Sequence, residues 1–221
     1  MRRIERMASL VLGSLLALSI AACGSGDEGN GSSGASAGAP EAASAGALSA
    51  EEQQYLRFTR EEEKLARDVY GALGTAHPSF SNVASSEQTH MDAVATLLTR
   101  YAVDDPALGK SAGAFTDATL QKLYTDLVAA GTRSQIEALR VGVEIEELDI
   151  VDIERGRAKT TRADIVTTMD NLTRGSRNHL RTFYSNLQVV GGSYTPKHLD
   201  QASFDAIVTS ARETGGAGGP L

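Results

Sequence analysis

Apolar residues recur at helical spacing through six stretches of this chain, and the two-residue alternation of a half-buried strand is almost absent. The first stretch opens at Leu48-Ser49-Ala50-Glu51-Glu52, where Ser49 and Glu52 have capping-box spacing and Leu48 can act as the staple residue. It predicts a helix A to about Leu73, before Gly74 and His77-Pro78. Helix B is predicted from about Ser79 to Tyr101, a shorter helix over Thr116 to Ala130, helix C over Ser134 to Glu154 and helix D over Arg162 to about Leu187. A last short helix, from about Asp200 to Arg212, would dock through Phe204, Ile207 and Val208. The fold class that follows is all-α: an antiparallel four-helix bundle. Its long B–C connection, which holds the short helix, lets B and C run parallel.

The apolar stripes are interrupted by ionisable residues at related places. On helix B, Val83, Glu87, His90, Val94, Leu97 and Tyr101 share one face, so a carboxylate and an imidazole three residues apart point inward. Helix C places Glu146 inward with Leu139, Val143, Ile150 and Ile153, and helix D places His179 inward with Ile165, Met169, Leu172, Ser176 and Phe183. Helix A offers two adjoining stripes, one through Tyr55, Phe58, Glu62, Leu65 and Val69, the other through Leu56, Glu63, Ala66 and Tyr70; both Glu62 and Glu63 border the core. Burying several carboxylates together is untenable without cations. Convergent Glu and His are what a pair of metal ions needs, because carboxylates bridge and neutralise while neutral imidazoles complete the coordination.

Composition narrows the picture without changing it. Ala, Leu, Glu and Arg dominate the middle of the 221 residues, as a helical domain requires, and a single Cys rules out an internal disulfide framework. That Cys follows a basic Met1-Arg2-Arg3-Ile4-Glu5-Arg6, an apolar run from Ala8 to Ile20 too short to span a membrane, and small residues before Cys23-Gly24. The segment resembles a bacterial lipoprotein signal, cleaved before Cys23 and lipidated there, so the protein is expected to be exported and anchored to the cell envelope. Residues 23–47, rich in Gly, Ser and Ala, read as a flexible tether, 48–212 as the folded domain and 213–221 as a disordered tail. Loss of residues 1–22 removes three Arg and one Glu and moves the formal charge from −7 to −9, which argues against nucleic acid as a partner.

At its inward polar residues the chain resembles the ferritin-like superfamily of di-iron carboxylate proteins. Within it, Arg60-Glu61-Glu62-Glu63-Lys64-Leu65-Ala66-Arg67-Asp68-Val69-Tyr70, Ser86-Glu87-Gln88-Thr89-His90-Met91, Ile145-Glu146-Glu147-Leu148-Asp149-Ile150 and Gly175-Ser176-Arg177-Asn178-His179-Leu180 resemble the family of domain of unknown function 2202, over roughly Ser49 to Ile207. The resemblance implies Glu63, Glu87, His90, Glu146 and His179 as ligands to two metal ions. Iron is the expected metal, with zinc, manganese or copper as alternatives. It prefers Glu63 over Glu62, because Ala66 and Tyr70 follow at the rubrerythrin-like spacing, and it leaves Glu147 as a rival to Glu146. Ser176 stands where a second Glu-x-x-His motif would carry its Glu; Asp149, three residues after Glu146, is the candidate replacement. The implied activity is Fe²⁺ oxidation or reduction of O₂ or peroxide, and the alternative is a non-enzymatic metal-binding or structural bundle. His77 and His198 read as solvated loop residues. Arg174, Arg177 and Arg181 read as counter-charges to the acidic cluster or, preferably, as an exposed face.

Overall fold

The computed structural model describes residues 46–215. The expected leader, Cys23, nearly all of the expected tether and the end of the tail lie outside the described residues. Six α-helices and no strands occur among those described: α1 (Ala50–Ala72), α2 (Ser79–Arg100), α3 (Ala118–Gly131), α4 (Gln135–Arg157), α5 (Ala163–Val189) and α6 (Gln201–Thr209).

The helix starts follow their capping residues. Ser49 and Glu52 form the full capping box of α1. Asp117, Ser134 and Asp200 each accept a hydrogen bond from a first-turn N–H of α3, α4 and α6. Pro78 gives α2 no side-chain cap, but the His77 ring accepts from the Ser79 N–H at 3.2 Å. The far end of α2 closes differently. Ala102 adopts a left-handed φ of 53°, the Val103 N–H reaches the Leu98 carbonyl and the Ala102 N–H that of Thr99, a Schellman arrangement without glycine. The last helix is shorter than its sequence implies: it ends at Thr209 instead of Arg212. Ser210 is extended, and the following residues are drawn along α5 where Arg177 and Arg181 both grip Glu213.

Helices α1, α2, α4 and α5 pack as a bundle in which α1 touches α2 and α4, and α5 touches α4 and α2. Every adjacent pair is antiparallel, as shown by the contacts His90 to Glu63 and Gln88 to Arg67, Tyr55 to Ile153 and Tyr70 to Glu146, and Ser86 to His179 and Tyr101 to Asp164. Consequently α2 and α4 lie on a diagonal and point the same way, which the long connection between them permits. Its residues 102–117 cross the outer face of α1. Asp105 pairs with Arg60, the Ser111 carbonyl accepts from Lys64, the Gly113 N–H donates to Asp68, and the Thr116 and Asp117 N–H groups donate to Glu61.

The core is in two parts along the bundle. One cluster holds Leu65, Val69, Tyr70, Phe80, Val83, Leu139, Val143, Leu180 and Phe183, extended by Leu120 and Leu127 of α3 and Phe204 of α6. The other holds Tyr55, Leu56, Val94, Leu97, Leu98, Ile153, Ile165, Met169 and Leu172. Between them each long helix contributes polar residues at the same level.

Candidate metal centre

One turn of each bundle helix builds the polar layer. The apolar neighbours at three and four residues on either side face the two clusters, so the residue between them has nowhere to turn but inward. Glu63, Glu87, His90 and Glu146 are buried, and His179 is 9% exposed. These side chains converge as two triads, Glu63 with Glu87 and His90, and Glu87 with Glu146 and His179, each offering ligand atoms within 4.8 Å of one another. Glu87 belongs to both: its Oε2 lies 2.7 Å from His90 Nδ1 and its Oε1 lies 2.7 Å from His179 Nδ1. Glu63 Oε2 approaches His90 Nδ1 at 3.2 Å, and Glu146 Oε2 approaches His179 Nδ1 at 3.5 Å.

These approaches are close, yet most are not hydrogen bonds. Both Glu87 oxygens, Glu146 Oε2 and His179 Nδ1 are buried with no partner in hydrogen-bonding orientation. Unsatisfied buried polar atoms are rare because each forfeits its hydration. Several that face a common point have the geometry of donors to a third atom, and these groups could hold metal ions. Around them the remaining polar atoms are satisfied in ways that aim the donors. The Tyr70 hydroxyl donates to Glu146 Oε1, leaving Oε2 for the centre. His179 Nε2 lies 2.9 Å from Ser86 Oγ, which fixes the outer nitrogen of that ring and turns Nδ1 inward. The His90 and His179 rings stack at 5.5 Å, and α5 makes room for His90 at Gly175, where a Cβ would stand 2.5 Å from its Nε2.

Electrostatics describe the same competition. Burial pushes the Glu63 carboxyl up to about 7 although His90 pulls it down. Burial, helped by the charge of Glu87, likewise pushes Glu146 up to about 7 against the pull of His179 and Tyr70. At Glu87 burial again acts upward, but the two imidazoles override it and hold the group well below the ordinary carboxylate range. Burial acts to lower both histidines; Glu87 and Glu63 overcome it at His90, and Glu87 and Glu146 carry His179 up to about 10.

Residues left open by sequence are separated by structure. Glu62 is buried but lies outside both triads, and burial, with the like charges of Asp152 and Glu63, pushes its carboxyl well above the ordinary range. Glu147 is buried but serves the 194–199 segment, accepting from the Tyr194 hydroxyl and from the Lys197 and Leu199 N–H groups. Asp149 is buried beside the cluster with both oxygens unpartnered, yet it lies outside the two triads. Ser176 offers nothing to the centre, since its hydroxyl donates to the Leu172 carbonyl of its own helix at 3.1 Å. His198 is exposed, and His77 is half-buried at the start of α2. Arg177 and Arg181 are neither counter-charges to the acidic cluster nor a free face: both are committed to Glu213 on the outside of α5. The roles of Ser86 and Gly175 left no sequence signal, because both act across a helix interface.

Comparison with known proteins agrees with this architecture and supplies no activity. A family model described as "Uncharacterized protein domain (DUF2202)" matches residues 52–211. The uncharacterised protein MJ0754 of Methanocaldococcus jannaschii is 44% identical over 170 residues, 76% of this chain and 92% of that protein. The crystal structure of the hypothetical protein MJ0754 from Methanococcus jannaschii superposes with a TM-score of 0.73 at 44% identity, covering 75% of this chain and 96% of that one. With the family model spanning well over half its length, the chain belongs to the DUF2202 family of uncharacterised proteins.

Proposed function

We propose that this protein is a ferritin-like four-helix bundle that holds a dinuclear metal centre, with iron as the metal, and works as an oxidoreductase on Fe²⁺, O₂ or peroxide. The observation that carries this reading is the pair of triads sharing Glu87, whose inward atoms lack hydrogen-bond partners. Three carboxylates and two imidazoles are a hard-to-borderline donor set, which suits iron, manganese or zinc better than soft thiophilic metals. Glu63 and His90 would serve one ion, Glu146 and His179 the other, and Glu87 would bridge them, with Asp149 as a further donor. Iron so held supplies one-electron chemistry. The protein's own residues do the rest: the apolar clusters on both sides exclude water, Ser86 and Tyr70 hold His179 and Glu146 in position, and Gly175 admits the His90 ring. The proposed setting is the bacterial cell envelope, with lipid on Cys23 and residues 23–47 as tether.

A second reading has its own observation. Ser176 is tied to its helix and Glu87 is the one carboxylate common to both triads, and a site with a single bridge suits a non-enzymatic metal-binding module that takes zinc, manganese or copper. Anaerobic Fe²⁺ titration followed by O₂ exposure separates the two. Two Fe²⁺ per chain with oxygen consumption supports the oxidoreductase; tight Zn²⁺ binding with no oxygen uptake by the iron-loaded protein overturns it in favour of the module.

A further inference from the structure

The two triads leave a set of buried carboxyl groups unused on one seam of the bundle. Glu62 on α1 and Asp149 on α4 are both buried, while Asp152, one turn beyond Asp149 on α4, has a side chain 22% exposed. Glu62 lies on α1 between Tyr55 and Tyr70, whose contacts with Ile153 and Glu146 set the register of α1 against α4 and bring Glu62 level with Asp149 and Asp152. Asp149 is buried one turn beyond the triad residue Glu146 on α4 and so lies between it and Asp152 along the helix. From solvent inward the series therefore runs from Asp152 to Glu62 and Asp149, and then to the triads.

Nothing cationic answers the inner part of this series. Among the described residues Glu62 and Asp149 have no ion-pair partner; Arg155 pairs with Asp152 at the outer end, at 2.9 Å. Glu62 Oε1 and both Asp149 oxygens are buried and unpartnered, and Thr59, one turn earlier on α1, buries a hydroxyl that is also unpartnered. Lone pairs so placed are costly unless something positive visits them. No three of these groups converge as the triad atoms do, so the series is built to pass a cation rather than to keep one. Other approaches are less suited. Residues 102–117 cover the outer face of α1, and the cleft of about 380 Å³ between α4 and α5 has Arg157 and Arg177 in its walls.

We propose that Asp152, Glu62 and Asp149 form a carboxylate route along the α1/α4 seam by which a divalent cation passes between solvent and the triads. The inference rests on the metal-binding reading above. Asp152 gathers the ion from solvent, Glu62 and Asp149 relay it along the seam, and the triad carboxylates receive it. Because the route sets rates and not the depth of the final site, it acts equally on uptake and release.

Stopped-flow loading of the metal-free full chain with Co²⁺, followed by its absorption bands, tests this. Glu62→Gln and Asp152→Asn are each expected to slow loading by about tenfold or more, the scale on which aligned charges focus ions. Final Co²⁺ stoichiometry and Kd should stay at wild-type values, and chelator-driven release should slow by the same factor. Glu154→Gln, the same charge change on an exposed neighbour, should load at the wild-type rate. Wild-type loading and release rates in both route variants would overturn the route while leaving the centre intact. A wild-type chain that takes up no Co²⁺ would overturn the centre and the route together. Should one variant fail to fold by circular dichroism, the other decides.

Discussion

At the scale of single residues, the centre depends on groups that are not its donors. Glycine in a helix interior normally costs about 1 kcal/mol relative to alanine, so Gly175→Ala should stabilise α5 on propensity alone. The contact decides otherwise. A Cβ at Gly175 would meet His90 Nε2 at 2.5 Å and Cε1 at 2.6 Å, so the ring must move, and overpacking of that kind costs about 1–3 kcal/mol. Gly175→Ala is therefore expected to destabilise the protein in urea by about 1 kcal/mol net and to weaken Co²⁺ binding by about tenfold or more, read by chelator competition. An alanine variant that is more stable and binds as well would mean that His90 does not need the space. Ser176 makes the complementary point: a residue may stand on the inward stripe and still spend its polar atom on its own backbone.

At the scale of elements, α1 is the least ordinary helix. Thr59 to Ala66 are buried without a break, including Arg60, Glu61 and Lys64, and only Glu63 of this run reaches the triads. The charges are tolerated because the α2–α3 connection supplies partners one by one: Asp105, Ser111, Thr116 and Asp117, with Asp68 accepting from both Lys64 and the Gly113 N–H. The connection begins at the left-handed Ala102. An L-residue other than glycine pays about 1 kcal/mol there, so Ala102→Gly should raise unfolding stability by about that amount without changing metal binding. Equilibrium denaturation checks it, and a loss of stability would show that the chain-entropy cost of glycine outweighs the relieved strain.

For the whole molecule, the buried centre ties stability to pH. Glu63 and Glu146 hold their protons up to about 7 in the folded state, against 4.5 ordinarily, so their contribution is fully present below 4.5 and is lost as pH rises through about 7. His179 is raised from 6.5 to about 10, so its contribution is present below 6.5 and disappears as pH rises through about 10. Glu87, held low, acts in the opposite sense on the acid side, losing its contribution as pH falls below 4.5. In chelator, Tm is expected to fall steadily between about pH 6 and pH 10. With bound metal the trend should flatten or reverse, because coordination needs the same groups deprotonated and grows tighter as protons leave. Thermal melts across that range, with and without Co²⁺, provide the measurement; a chelated protein more stable at the alkaline end would contradict this account.

What the sequence alone determined was the set of helices and the inward face of each. Periodicity and caps are local, so Ser49, Asp117, Ser134 and Asp200 mark starts, and Val83 to Leu97 or Leu139 to Ile153 mark faces, without knowledge of neighbours. The same periodicity singled out Glu87, His90, Glu146 and His179 as polar residues on apolar stripes. What only the tertiary structure decided was where each carboxyl is spent. Glu61, Glu62, Glu63 and Glu147 are all buried glutamates in similar local settings, yet they go to a loop, to the α1/α4 seam, to the triads and to the 194–199 segment. Local spacing cannot separate them. A helix turns 100° per residue, so adjacent glutamates face different neighbours, and those neighbours arrive from as far as 27 to 56 positions away, placed by packing alone.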